Sequence, residues 1–319
     1  MALFVALACA CGGGSADKGT GPAPVPVPVP VPTTNGPLGP LAAGTTYLSP
    51  NSWLEYVPGT APLIIVAPHG GSVAPAELPD RVCTACVTVT DVNTQELSRA
   101  IIDAFARRTG VRPHLVVNRL HRRKFDGNRA LAEATNGHAP LAPTWTWLQS
   151  AVDSARLRVA AAHGRGLLID LHGHGHAIAR LELGYLLSAS DLRRTDAALA
   201  TAGDMGRTSI ARLAGDAKSG ERGTALLRGP NSLGTLLVGA GVPSVPSAGT
   251  PAPLIGEDYF DGGFNTARNG SASGGAIDAI QIETHFTGVR DNANSRAAFA
   301  DVLAGVLVQY LERHYGWRP

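Results

Sequence analysis

The chain is 319 residues long, 44% hydrophobic and 16% charged, which gives enough apolar material for a sizeable core and excludes the composition of a disordered chain. Lys and Arg number 27 against 25 Asp and Glu, so the net charge of +2 supplies no global basic field for nucleic acid or an anionic membrane surface. Chemistry must come from local sites, within one domain over 40–319 that follows a compositionally distinct stretch over 1–39.

Residues Met1 to Ala10 are small or apolar and run into Cys9, Cys11 and Gly12-Gly13-Gly14-Ser15. The pattern is similar to a bacterial lipoprotein signal, in which a cysteine after small residues becomes the lipidated first residue. Cys11 fits that role best and Cys9 second. Residues 21–32 then alternate Pro with apolar residues, mainly Val, and favour an extended polyproline II spacer between membrane and domain. The expectation is an exported chain of the cell envelope, attached to the membrane through a lipid anchor only or secreted. No segment has the length and apolarity of a transmembrane helix. In such a compartment Cys83 and Cys86, a C-x-x-C pair leading into the strand-like Val87–Val89, are expected to form a local disulfide.

Along the domain, apolar runs alternate with helical periodicities. Pro62–Ala67 reads as a buried strand that ends in Pro68-His69-Gly70-Gly71. A helix is predicted over Asp91–Arg108, with Leu97, Ile101 and Phe105 on one face and Gly110 to stop it. His114–Asn118 is a strand, Trp147–His163 a helix stopped by Gly164, and Gly166–Leu171 a strand. Leu183–Ser188 is strand-like, Leu192–Ala202 helical, Ala279–Glu283 a strand, and Ser295–Tyr315 a long helix. This alternation predicts an α/β fold with a mainly parallel mixed sheet and helices on both faces, where ligands gather beyond the carboxyl ends of the strands.

Metal-seeking groups occupy those ends. His69, His172 within Asp170-Leu171-His172-Gly173-His174-Gly175-His176, and Glu283 each follow an apolar strand directly. A catalytic zinc takes three protein ligands and keeps a fourth position open, so two histidines need a carboxylate. Glu77, on the loop after His69, is the nearest candidate and Asp80 the next. A second cluster gathers Arg119, Arg122, Arg123, Lys124 and Arg129 after a strand. It lacks the interleaved aromatics of a nucleic-acid site, whereas an arginine fork suits a substrate carboxylate. Arg119 and Arg129 are the candidates for that task, and Arg122, Arg123 and Lys124 read as solvated surface. The alternating histidines also allow a second function class, a lipid-anchored metal-sequestering protein without turnover. An isolated carboxylate emerging from a buried strand at Glu283 favours the hydrolase.

With these residues assembled, the chain resembles the N-formylglutamate amidohydrolase family, relatives of the zinc carboxypeptidases. Five stretches carry the likeness in order: Ala67-Pro68-His69-Gly70-Gly71, Asp126-Gly127-Asn128-Arg129, Asp170-Leu171-His172-Gly173-His174, Tyr259-Phe260-Asp261-Gly262-Gly263-Phe264-Asn265-Thr266 and Gln281-Ile282-Glu283. The resemblance implies a zinc-carboxypeptidase-like fold and one zinc ion on His69 and His172. Asn128 and Arg129 would hold a substrate carboxylate, Glu283 would be the general base and Arg119 would polarise the scissile carbonyl. Asn265, Thr266 and Arg268 would line the substrate pocket. In the carboxypeptidases the third ligand follows the first histidine by three residues, where this chain has Ser72. Glu77 is the expected substitute, with His174 or a water as the other options. The implied substrate is a small acidic molecule or a peptide: an N-acyl amino acid, a peptide, a poly-glutamate chain or a cell-wall fragment.

Overall fold

The computed structural model describes residues 31–32, 36–37, 39–84, 86–201 and 203–319, so Cys9, Cys11 and the Pro/Val tract up to Pro30 lie outside the described residues. Nine strands are found among them: β1 (Val31–Pro32), β2 (Tyr47–Leu48), β3 (Leu54–Val57), β4 (Leu63–Ala67), β5 (His114–Asn118), β6 (Gly166–Gly173), β7 (Leu181–Gly184), β8 (Ser244–Val245) and β9 (Ile277–Thr284). They make one sheet in the order β1-β2-β3-β5-β4-β6-β9-β7-β8. The central strands β5, β4, β6 and β9 are parallel, and β3 and β7 flank them antiparallel. Val31 and Pro32, inside the stretch read as a spacer, pair with β2.

The centre of the sheet is buried on both faces, which is why its strands read as unbroken apolar runs. Leu63, Ile65 and Ala67 of β4 pack in one cluster with Leu97, Ile101 and Phe105 of the Thr94–Thr109 helix and with Leu303 and Leu307 of the Ala293–Tyr310 helix. Ile64 and Val66 face the other way, against Trp147, Leu148 and Val152 of the Ala142–His163 helix. Helices thus cover both faces. The expected stops are in place: Gly110 and Gly164 both adopt the left-handed conformation at helix ends, with φ 75° and 71°.

Several boundaries differ from the sequence reading. The helix expected over Leu192–Ala202 is two pieces, Ala189–Leu192 and Asp196–Thr201, the first started by a capping box between Ser188 and Asp191. The strand expected to reach Ser188 ends at Gly184. Val87–Val89 is no strand. It belongs to the long connection between β4 and the Thr94–Thr109 helix, where Cys83 and Cys86 are joined in a disulfide. The short strands β2, β3 and β8 have too little periodicity to be seen in sequence, and pairing alone defines them.

Candidate metal centre

Residue parity along the strands builds the site. On one face of β6, Leu168 is followed by Asp170 and His172, and on the same face of β9, Ala279 is followed by Gln281 and Glu283. The face turns from apolar to polar at the carboxyl ends of both strands. Register then sets His172 beside Glu283 and Asp170 beside Gln281. His69 comes from the end of β4, which lies next to β6 on its other side.

Three buried groups converge there: His69, Asp91 and His172, whose ligand atoms lie within 4.8 Å of one another. Asp91 Oδ2 is 3.4 Å from His69 Nδ1 and 3.1 Å from His172 Nδ1. The outer nitrogens of both rings are held by carboxylates. His69 Nε2 is 2.6 Å from Asp126 Oδ1, and His172 Nε2 is 3.1 Å from Asp170 Oδ2. Carboxylates beside the outer nitrogens orient both rings so that each Nδ1 faces Asp91 in the cavity. His69 Nδ1 has no hydrogen-bond partner in that cavity despite its burial. Two imidazole nitrogens, one of them buried without a partner, and one carboxylate suit a divalent metal.

Electrostatics agree with a cation-seeking site. Burial would push Asp91 and Asp126 up, but the charge of His69 and hydrogen bonds from the neighbouring imidazoles outweigh it and hold both carboxyls well below the usual range. His172 is raised well above its ordinary value, since burial, which lowers it, is overcome by the charge and contact of Asp170. Glu283 goes the other way. Burial, with the negative charges of Asp91, Glu182 and Asp170, pushes its carboxyl up to about 8 against the opposing pull of His172. Its Oε1 accepts a hydrogen bond from Gln281 at 3.0 Å, while Oε2 is buried without a partner.

Glu283 lines one small cavity together with His69, Asp91, Arg122, Asn128, Arg129 and His172. Asn128 is held from three sides: its backbone N–H donates to Asp126, its Oδ1 accepts from the backbone N–H of Asn265, and its Nδ2 lies 3.2 Å from His172 Nε2. Gly262 and Gly263 bring the following loop against it. Gly262 sits at φ 132°, and a Cβ on Gly263 would collide with the Asn128 amide.

Other residues expected at the site lie elsewhere. Glu77 is exposed on the loop surface and is not the third ligand of this group; Asp91 stands in that place. Asp80, the second choice, is exposed and paired with Lys124 at 2.8 Å. Arg119 turns away from the cavity and donates to the carbonyl of Ser52. Arg268 forks onto Asp153 at 2.9 and 2.7 Å, and is not in the cavity lining. Asn265 and Thr266 are buried beneath the site, Asn265 donating to Asp170 and thereby supporting the carboxylate behind His172. Arg122 and Lys124, read as solvated surface, are both buried, and only Arg123 of the three is exposed. Arg122 bridges Asp126 at 3.1 Å and Asp91 at 3.4 Å.

In sequence, Asp91 stands where the predicted helix opens, which hides it as a ligand candidate. The helix starts at Thr94, and Asp91 is fastened back to His69 by its own backbone N–H. Arg122 and Asp126 carried a visible signal in their spacing of four residues.

His174, His176 and Glu182 form a second group of possible ligands. Its atoms are already engaged: His174 donates to the carbonyl of Arg180 and accepts from the backbone of His176, and His176 contacts Glu182 at 2.8 Å. A larger cavity, about 890 Å³ between residues 192–196 and 249–257, contains none of the ligand groups. Of its four arginines, Arg180, Arg194 and Arg228 are paired with Glu257, Asp204 and Asp196, and Arg193 donates to the carbonyl of Pro253.

Neither a protein-family profile nor a curated protein matches this sequence. Among solved structures, the chain is similar to the N-formylglutamate amidohydrolase from Ralstonia eutropha JMP134, with 14% identity and a TM-score of 0.46 over 81% of this chain and 97% of that one. It is similar to a gene product of Agrobacterium tumefaciens at 15% identity and a TM-score of 0.42, over 80% of this chain and 92% of that one. It is also similar to a bacteriophage poly-gamma-glutamate hydrolase at 13% identity and a TM-score of 0.34, over 81% of this chain and 88% of that one.

Proposed function

We propose that this chain is an exported, zinc-dependent hydrolase of amide bonds in N-acyl amino acids or peptides that carry a carboxylate. The observation that carries the reading is the free oxygen of Glu283, buried in the same cavity as the three-ligand group of His69, Asp91 and His172. A protein that only stores metal has no use for such a carboxylate.

His69, Asp91 and His172 would hold the zinc ion, and Asp126 and Asp170 would fix the two imidazoles. Bound there, the ion supplies Lewis acidity toward the substrate carbonyl and toward water. Glu283 takes the proton released when water adds to the amide carbon and returns it to the departing nitrogen, so one acid and one amine leave. Arg129, half-buried at the cavity edge, offers a guanidinium to the substrate carboxylate. Asn128 sits between that group and His172 and positions both ends of the substrate.

Export is supported by the lipoprotein-like N-terminal sequence and by the Cys83–Cys86 disulfide, which suits an oxidising compartment. Intact-mass analysis of the protein from membrane fractions is expected to find a lipidated N-terminus at Cys11. An unmodified Met1 there would remove the anchor from the proposal.

The catalytic reading is tested by Glu283→Gln. Gln is nearly isosteric, and its carbonyl can still accept the Gln281 hydrogen bond, yet it cannot take a proton. Zinc content measured by atomic emission is expected to stay unchanged while amide hydrolysis falls about 100-fold to 10,000-fold. Near-normal turnover in that variant would sink the mechanism.

A further inference from the structure

Positive charge in the cleft is scarce once each cation's partner is counted. Among the described residues lining the cleft, the arginines are Arg122 and Arg129. Arg122 lies between Asp126 and Asp91 and balances the carboxylates of the metal framework. Behind it, Arg81 also contacts Asp126, and Arg290 donates to the carbonyls of Val92, Thr284 and His174. Arg129 is different. Its one carboxylate neighbour, Glu133, stands 3.7 Å away on a side chain that is 70% exposed, a pair too solvated to hold it strongly. The cleft therefore has one cation to spare, enough for one substrate carboxylate.

The lip of the cleft has a different chemistry. Val87 and Phe260 both line it and are 45% and 42% exposed. Phe260 is fixed in place, since its backbone N–H donates to the fully buried Glu182 and its ring stacks on His176 with centroids 4.6 Å apart. The cavity itself is small, about 130 Å³. Whatever side chain the substrate carries must lie out against the lip.

We propose that the cleft selects substrates with a single carboxylate and an apolar side chain, N-acyl derivatives of leucine or phenylalanine or peptides ending in them, over dicarboxylates such as N-acylglutamate and glutamyl chains. The inference rests on the hydrolase reading for its chemistry, while its selectivity concerns binding alone. A second carboxylate on that side chain would lie against Val87 and Phe260, where no lining cation is left to pair with it, whereas a leucine side chain gains the burial of apolar surface against the same two residues.

The zinc-loaded Glu283→Gln variant, which should not consume the ligand, is titrated calorimetrically with N-acetylleucine and N-acetylglutamate. The unaltered full chain is assayed for hydrolysis of both. The leucine derivative is expected to bind at least about 10-fold tighter and to show the higher kcat/KM by a similar factor. Phe260→Ala should reduce that ratio through the leucine derivative. Phe260→Arg, by adding a second cation at the lip, should reduce it by improving the glutamate derivative. Equal or tighter binding of N-acetylglutamate by the Phe260-bearing cleft would overturn the proposal. Leucine-selective binding with no turnover of any N-acyl substrate would uphold the selectivity and overturn the hydrolase reading instead.

Discussion

Asp91 and Asp126 show how two buried carboxylates in one site take different tasks. Asp91 Oδ2 faces the inner nitrogens of both histidines, whereas Asp126 grips the outer nitrogen of His69 and is itself held by Arg81 and Arg122. For the proposed zinc site, removing the first deletes a ligand, and removing the second only loosens one. Asp91→Ala is therefore expected to abolish stoichiometric zinc binding, while Asp126→Asn should weaken it by about 10-fold to 100-fold. Competition with a chromogenic chelator measures both. Equal affinities in the two variants would remove Asp91 from the ligand set. This distinction was beyond the sequence. His69, His172 and Glu283 announced themselves by following apolar strands, because a polar group at the end of a buried strand has few other reasons to be there. Asp91 lies 22 residues after His69 with no strand before it, and the folding of the loop alone brings it back.

At the scale of elements, strands and long helices were legible because the central sheet is buried on both faces and its flanking helices repeat every three or four residues. The connection between β4 and the Thr94–Thr109 helix was not, since nearly all of it lacks regular structure and its position depends on side chains that reach far along the chain. Arg81 is the chief of these. It donates to the carbonyls of Val87, Arg122 and Glu133 and lies 3.4 Å from Asp126, so one buried guanidinium ties the disulfide segment, the basic loop and the carboxylate behind His69 together. Arg81→Ala leaves three carbonyls and one carboxylate short of a partner. A loss of about 2–4 kcal/mol is expected in urea unfolding, with faster proteolytic cleavage between residues 72 and 90 as the local signature. A variant with unchanged stability and cleavage would mean that the disulfide and the bridges of Gly71 and Val73 to the basic loop hold the segment without it. The burial of the basic run is hidden in sequence for a related reason: charge in a sequence says nothing of its partners, and Asp91, Asp126 and the Leu78 carbonyl are what draw Arg122 and Lys124 inside.

For the whole molecule, the site concentrates charge where the fold is best buried. Asp170 and Glu182 are completely buried and Asp91, Asp126 and Glu283 nearly so, all near the carboxyl ends of the central strands. Two histidines and Arg122 offset part of that charge, and a divalent cation would offset more. A ligand that binds only the folded chain stabilises it by about 2.7 kcal/mol when present at 100 times its Kd. In a domain of this size that should raise the melting temperature by roughly 5 °C or more. Scanning calorimetry of chelator-treated protein, with and without added zinc, measures the shift. The same scan on Asp91→Ala separates the two histidine groups. A shift that disappears in this variant assigns the metal to His69, Asp91 and His172, as expected from the unpartnered inner nitrogen of His69. A shift that persists at full size would move it to His174, His176 and Glu182, and would require their mutual hydrogen bonds to break on binding. An unchanged melting temperature in the parent chain at saturating zinc would mean that the buried carboxylates are balanced by protein groups alone, and the metal would leave the proposal altogether.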